Sequence, residues 1–186
     1  FFSLINVRVV LAVLYSISRV HKLSFPEELE KINLKQDPTN LSFNPFRKMS
    51  NGKEIFDWCC DKEERICNEI DSVFLTPPED LEKSSDLYSL KLFNPKNISV
   101  NGKAIQERIL IMFDDVHNLG SSQRKVLLSS IINKRPEINV WLAERLQALS
   151  MDEIISDGNV VNRDFNIITL EQYWNKKSVK YEKFIK

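Results

Sequence analysis

The chain has 186 residues, 42% of them hydrophobic and 28% charged, with 26 basic and 26 acidic residues and no net charge. That length suits one α/β domain with a sizeable core. A zero balance excludes a globally basic nucleic-acid binder or membrane-surface protein, so any such role has to rest on local asymmetry.

The opening residues 1–14 are apolar enough to suggest a membrane span. Asn6 and Arg8 sit inside the run, however, and Ser16, Ser18 and Arg19 close it before about 20 apolar residues accumulate. No basic stretch precedes it and no small-residue cleavage site follows, which is unlike a signal peptide. Residues 1–22 are expected to form a buried strand turning into a core helix. Because the chain opens at Phe1 and not at Met, it is expected to be a piece of a larger protein, cut inside a domain.

Ser24-Phe25-Pro26-Glu27 matches a capping box and predicts a short helix ending near residue 32. Residues 37–51 read as loop. Ile55, Phe56, Cys59, Ile66, Cys67, Ile70 and Val73 then recur at helical spacing and predict a helix over residues 53–74. Its three cysteines, Cys59, Cys60 and Cys67, form neither a disulfide framework nor a CxxC zinc pair, and are expected to be free thiols in a reducing cytosol. Thr76-Pro77-Pro78-Glu79 is a second capping box. Over residues 87–104, Leu90, Leu92, Ile98 and Val100 alternate, and turns at Asn94-Pro95 and Asn101-Gly102 predict a small hairpin.

From residue 105 the chain becomes regular. A strand over 109–113 is followed by a helix capped at Ser121 or Ser122 that carries Val126, Leu127, Ile131 and Ile132. Lys134-Arg135-Pro136 ends that helix, and a second strand follows at 138–142. A helix capped by Ser150 and a third strand at 165–170 complete a strand–helix–strand–helix–strand order. That order predicts parallel neighbours joined by right-handed crossovers, covered by helices on both faces. Trp141 alternates with Val140 and is expected in the core. The tail, residues 173–186, interleaves five lysines with aromatics. This composition suits either a nucleic-acid backbone or, better, the start of an amphipathic helix.

Ile109-Leu110-Ile111-Met112-Phe113-Asp114-Asp115 carries the most chemistry. Five apolar residues suit a strand buried on both faces, and functional side chains in parallel sheets collect at the carboxyl ends of strands. Two adjacent acids at such an exit repel each other unless a cation neutralises them. Hydrated Mg²⁺ needs only one or two protein carboxylates. A plain alternative is that the acids cap the following helix or form a turn. His117 follows as a half-exposed turn histidine; with His21 the only other histidine, it lacks partners for zinc.

This run resembles the Walker B motif of P-loop nucleotide triphosphatases. Asp114-Asp115-Val116-His117 resembles the signal-transduction (STAND) branch of AAA-like ATPases. With Asn118-Leu119 and Gln123-Arg124-Lys125 it is similar to bacterial origin-recognition-like AAA ATPases. The strand at 138–142 leading into Ala143-Glu144-Arg145-Leu146 matches the sensor-1 position. The resemblance covers roughly residues 105–172. It implies an α/β P-loop fold over residues 1–172, with a mostly helical and loop insertion at about 24–104. Its implied ligands are ATP and Mg²⁺. Asp114 would hold Mg²⁺ through water, Asp115 would orient the attacking water, and Arg145 would sit near the γ-phosphate. It further implies a cytoplasmic ATPase that acts on DNA or a protein partner, self-associates, and has no membrane role.

Two departures stand out. The family usually places Glu where this chain has Asp115, which sets the carboxylate back by one methylene and predicts slow hydrolysis. G-x-x-x-x-G-K-[ST], whose backbone N–H groups and Lys hold phosphates, is absent: Gly52-Lys53 and Gly102-Lys103 have no glycine five residues earlier. The P-loop is therefore expected upstream of Phe1. The competing expectation is a non-catalytic α/β protein-interaction module whose acidic strand end is a cap or a binding surface.

Overall fold

The computed structural model describes residues 1–35, 45–72, 87–134, 138–145 and 166–169. The chain divides into two units, Phe1–Arg145 and Leu146–Lys186. Mixed helices and strands make the first unit α/β in the broad sense. It holds four α-helices, a three-stranded antiparallel sheet and a two-stranded parallel sheet among its described residues.

The N-terminal segment is one helix, α1 (Phe2–Val20), and not a strand leading into a helix. Its β-branched valines favour strands only as half-buried surface. Here Phe2, Asn6, Val9, Val10, Val13, Leu14 and Ile17 recur at three- and four-residue intervals and bury one wide stripe, so packing overrides propensity. By length and composition α1 could cross a membrane, yet 44% of its apolar window is buried inside the unit. Asn6, the polar residue inside the apolar run, is fully buried, and its Oδ1 accepts a 3.0 Å hydrogen bond from the Ser89 backbone N–H.

The helix expected to start at Ser24 is replaced by a turn. Glu28, not Glu27, reaches back to the Ser24 N–H at 2.8 Å, and a 3-10 turn at Leu29–Lys31 leads into strand β1 (Ile32–Leu34). Helix α2 (Gly52–Ser72) matches its periodicity. Asn51 Oδ1 caps it by accepting from the N–H groups of Lys53 and Glu54, both at 3.0 Å. A Cβ on Gly52 would lie 2.8 Å from the Leu29 carbonyl oxygen, so glycine lets α2 start hard against the preceding turn. Helix α2 packs on α1, and Arg8 Nε meets Glu63 across them at 2.8 Å.

The alternation at Leu90 and Leu92 is not a strand. Those residues lie in a single-turn helix, α3 (Ser89–Leu92). The predicted hairpin follows: β2 (Ile98–Val100) and β3 (Lys103–Ala104) pair antiparallel around Asn101 and Gly102, both at positive φ. Strand β2 also pairs antiparallel with β1, placing Ile32 opposite Val100 and Leu34 opposite Ile98.

Strands β4 (Leu110–Phe113) and β5 (Asn139–Leu142) are parallel neighbours, with Ile111 opposite Val140 and Phe113 opposite Leu142. Helix α4 (Ser121–Lys134) connects them. Ser121 is its first helical residue, so the cap position falls to Gly120 and not to Ser121 or Ser122; the Gly120 carbonyl accepts the Arg124 N–H at 2.9 Å, and Gln123 Oε1 accepts the Gly120 N–H at 3.3 Å. Ile111, Ile138, Leu127 and Ile131 share one buried cluster. The opposite face is bare: Leu110, Met112 and Trp141 are 43%, 60% and 55% exposed. This corrects two expectations, a sheet covered on both faces and a core Trp141. An unbroken apolar run shows that both faces can be buried, whereas cover requires an element on each. Of the third predicted strand, residues 166–169 are described, and they lie in no strand. The second capping box, the helix from Ser150 and the tail fall outside the described residues.

Candidate acidic edge of the parallel sheet

The two strand exits lie side by side at one edge, stitched by main-chain bonds that run past the ladder. Ala143 N–H donates to the Phe113 carbonyl at 2.8 Å, and Val116 N–H to the Ala143 carbonyl at 3.1 Å. Asp114 and Asp115 therefore leave β4 at the same edge at which Glu144 and Arg145 leave β5.

Asp114 and Asp115 are exposed. Asp114 Oδ1 accepts the Asp115 N–H at 2.8 Å, which holds its carboxylate over the turn and leaves the second oxygen for another partner. Asp115 adopts the left-handed conformation, φ 52° and ψ 35°, just before a 3-10 turn at Val116–Asn118. Aspartate tolerates this region better than bulkier residues do, and the kink re-aims the chain as the strand ends.

His117 bridges the two exits. Its side chain is 8% exposed, and its Nδ1 lies 3.9 Å from Asp115 Oδ1. The same nitrogen accepts the Arg145 N–H at 3.4 Å. The histidine read from sequence as a half-exposed turn residue is thus a tie between both site segments.

Sequence reasoning missed the strongest electrostatic contact of the edge. Arg124 of α4 grips Glu144 bidentately, Nε to Oε1 and Nη2 to Oε2, both at 2.7 Å, with both side chains largely buried. A signal was present: Arg124 precedes Leu127 and Ile131 by three and seven residues, on the buried stripe of α4. With Glu144 held inward, Arg145 is left exposed at the edge.

The edge brings Asp114, Asp115, His117 and the Arg145 backbone together. No group of three or more His, Cys, Asp or Glu side chains that could hold a metal occurs among the described residues. Elsewhere, Cys59, Cys60 and Cys67 are free, and burial pushes the Cys59 thiol up to about 12, leaving it an inert core group. No family model, curated protein or solved structure matches the chain.

Proposed function

We propose that this chain is the Walker B and sensor-1 region of an AAA-type P-loop ATPase, a cytosolic switch that couples ATP binding or slow hydrolysis to a conformational change on DNA or a protein partner. The observation that supports it best is the parallel pairing of β4 and β5, with Asp114, Asp115 and Arg145 at their common carboxyl edge. That is where open α/β sheets bind ligands.

Asp114, its carboxylate braced by the Asp115 N–H, would hold the waters of Mg²⁺. Asp115 orients the attacking water, and its position one methylene short of a glutamate's keeps turnover slow. Arg145 offers its guanidinium to the γ-phosphate, while Arg124, Glu144 and His117 position its backbone. Bound Mg·ATP would supply the leaving group and the charge that the metal neutralises. The chain has no G-x-x-x-x-G-K-[ST], so in this reading the phosphate cradle comes from residues outside 1–186. Calorimetry with Mg·ATP and residues 1–186 alone should accordingly detect no micromolar binding, and micromolar binding would refute it. In the whole protein, Asp114→Ala should abolish Mg²⁺-dependent nucleotide handling while leaving the fold intact.

The exposed apolar face of Leu110, Met112 and Trp141 favours a second reading, a non-catalytic interaction module. Wild-type nucleotide turnover in Asp114→Ala, together with loss of partner binding in Met112→Asp, would decide for it.

A further inference from the structure

A second cleft opens at the other end of the same strands. It lies between the 3-10 turn at Pro95–Asn97 and the amino ends of β4 and β5, with a volume of about 350 Å³. Four strand residues at roughly 3.3 Å each, about 13 Å, separate it from the acidic edge. Lys96 and Arg108 line it with Asn94 and Asn139, and Ile109 and Ile138 form an apolar wall.

Lys96 and Arg108 bring two cationic side chains to one cleft. Arg8, Lys31, Lys53 and Arg124 each meet a carboxylate. The side chains of Lys96 and Arg108 have no ion pair or hydrogen bond within the described residues. Among the described residues no acid lines the cleft. Glu107, the acid next to Arg108, faces His21 Nε2 at 3.6 Å and takes the Gln106 N–H at 3.0 Å. The wall that carries Lys96 is anchored: Asn94 Oδ1 accepts the Lys96 N–H at 3.0 Å, and the Asn97 carbonyl accepts the Lys35 N–H at 2.7 Å.

From these features we infer that the cleft binds the phosphate group of a small phosphate ester of nucleotide size. A guanidinium fork and an ammonium point charge are the pair that best neutralises a phosphate dianion. Ile109 is half-buried and offers apolar surface to the organic part of the ligand, with Ile138 buried beside it. The exposed Asn139 amide can fix its orientation. The volume sits at the low end for small-molecule sites and admits one such group. The site is independent of the ATPase reading, since it uses none of the acidic-edge residues.

The test is a titration of the full chain with AMP, inorganic phosphate and a single-stranded oligonucleotide, followed by amide chemical shifts. AMP should saturate, shift Lys96, Arg108 and Asn139, and bind about tenfold tighter than phosphate, through the contact with Ile109 and Ile138. Arg108→Gln and Lys96→Gln, both at exposed positions that keep the fold, should each weaken AMP by about tenfold. Arg8→Gln, which removes a cation elsewhere, should leave it unchanged. Four results would overturn the inference: no saturable AMP binding, equal affinity for AMP and phosphate, binding indifferent to both cleft variants, or binding only to oligonucleotides with affinity growing with length.

Discussion

Glu144→Ala should destabilise the first unit far more than loss of any surface ion pair. The substitution removes a bidentate carboxylate from Arg124, whose side chain is only 8% exposed, so the guanidinium cannot be rehydrated without opening the packing of α4 against the β5 exit. Breaking a buried pair from one side costs about 3–5 kcal/mol, and the 17% exposure of Glu144 places this pair at the lower end, near 3 kcal/mol. A loss of that size in a unit of this length lowers Tm by roughly 6–12 °C. Replacing both partners by methionine removes charge and countercharge together, so the double variant should lie within about 1 kcal/mol of wild type. Arg8→Ala is the control. Its partner Glu63 is half-buried but Arg8 itself is 64% exposed, and it should cost less than about 1 kcal/mol. Urea unfolding followed by far-UV circular dichroism measures the three variants against wild type. A Glu144→Ala loss below about 0.5 kcal/mol, or a double variant at least as unstable as Glu144→Ala, would refute the reasoning.

Three further outcomes follow from particular contacts. Gly52→Ala should destabilise by about 1–3 kcal/mol in the same unfolding assay, despite the better helix propensity of alanine, because the new Cβ would meet the Leu29 carbonyl oxygen at 2.8 Å. Cys59 has its folded pKa raised from 9.0 to about 12, so its contribution is fully present below pH 9 and is lost as pH rises towards 12. Relative to Cys59→Ala, wild-type stability should therefore fall above pH 9 with a limiting slope of about 1.4 kcal/mol per pH unit, and parallel profiles would contradict this. His117→Asn should retain the acceptor for the Arg145 N–H and stay within about 1 kcal/mol of wild type, whereas His117→Phe should lose that bond and cost more, by thermal unfolding.

The parallel pair was legible because its signals are local: an apolar run closed by acids, a serine-started helix ended by Lys134-Arg135-Pro136, then a second apolar run. The placement of Asp114, Asp115 and Arg145 at one edge followed from parallel pairing, since both strands then end on the same side. The helical N-terminus was not legible from Val7, Val9, Val10 and Val13, whose β-branched side chains suit a strand until α2 and α3 bury a helical stripe. Nor could an apolar run reveal that only one face of β4 and β5 receives α4, leaving Met112 and Trp141 in solvent. The Arg124–Glu144 clamp spans 20 residues and depends on how α4 docks, so the spacing of Arg124 from Leu127 and Ile131 marked a buried arginine but not its partner. The left-handed turn at Asp115 was equally hidden, because aspartate enters that region through its context and not through its type.

The most direct measurement is steady-state ATP turnover and ATP affinity of Asp115→Asn in the whole protein. Asparagine keeps the side-chain shape, tolerates the left-handed turn, and removes only the negative charge that orients water. ATP affinity should stay near wild type while turnover falls by about 10²-fold or more. A folded Asp115→Asn protein with wild-type turnover would contradict a catalytic role for this edge.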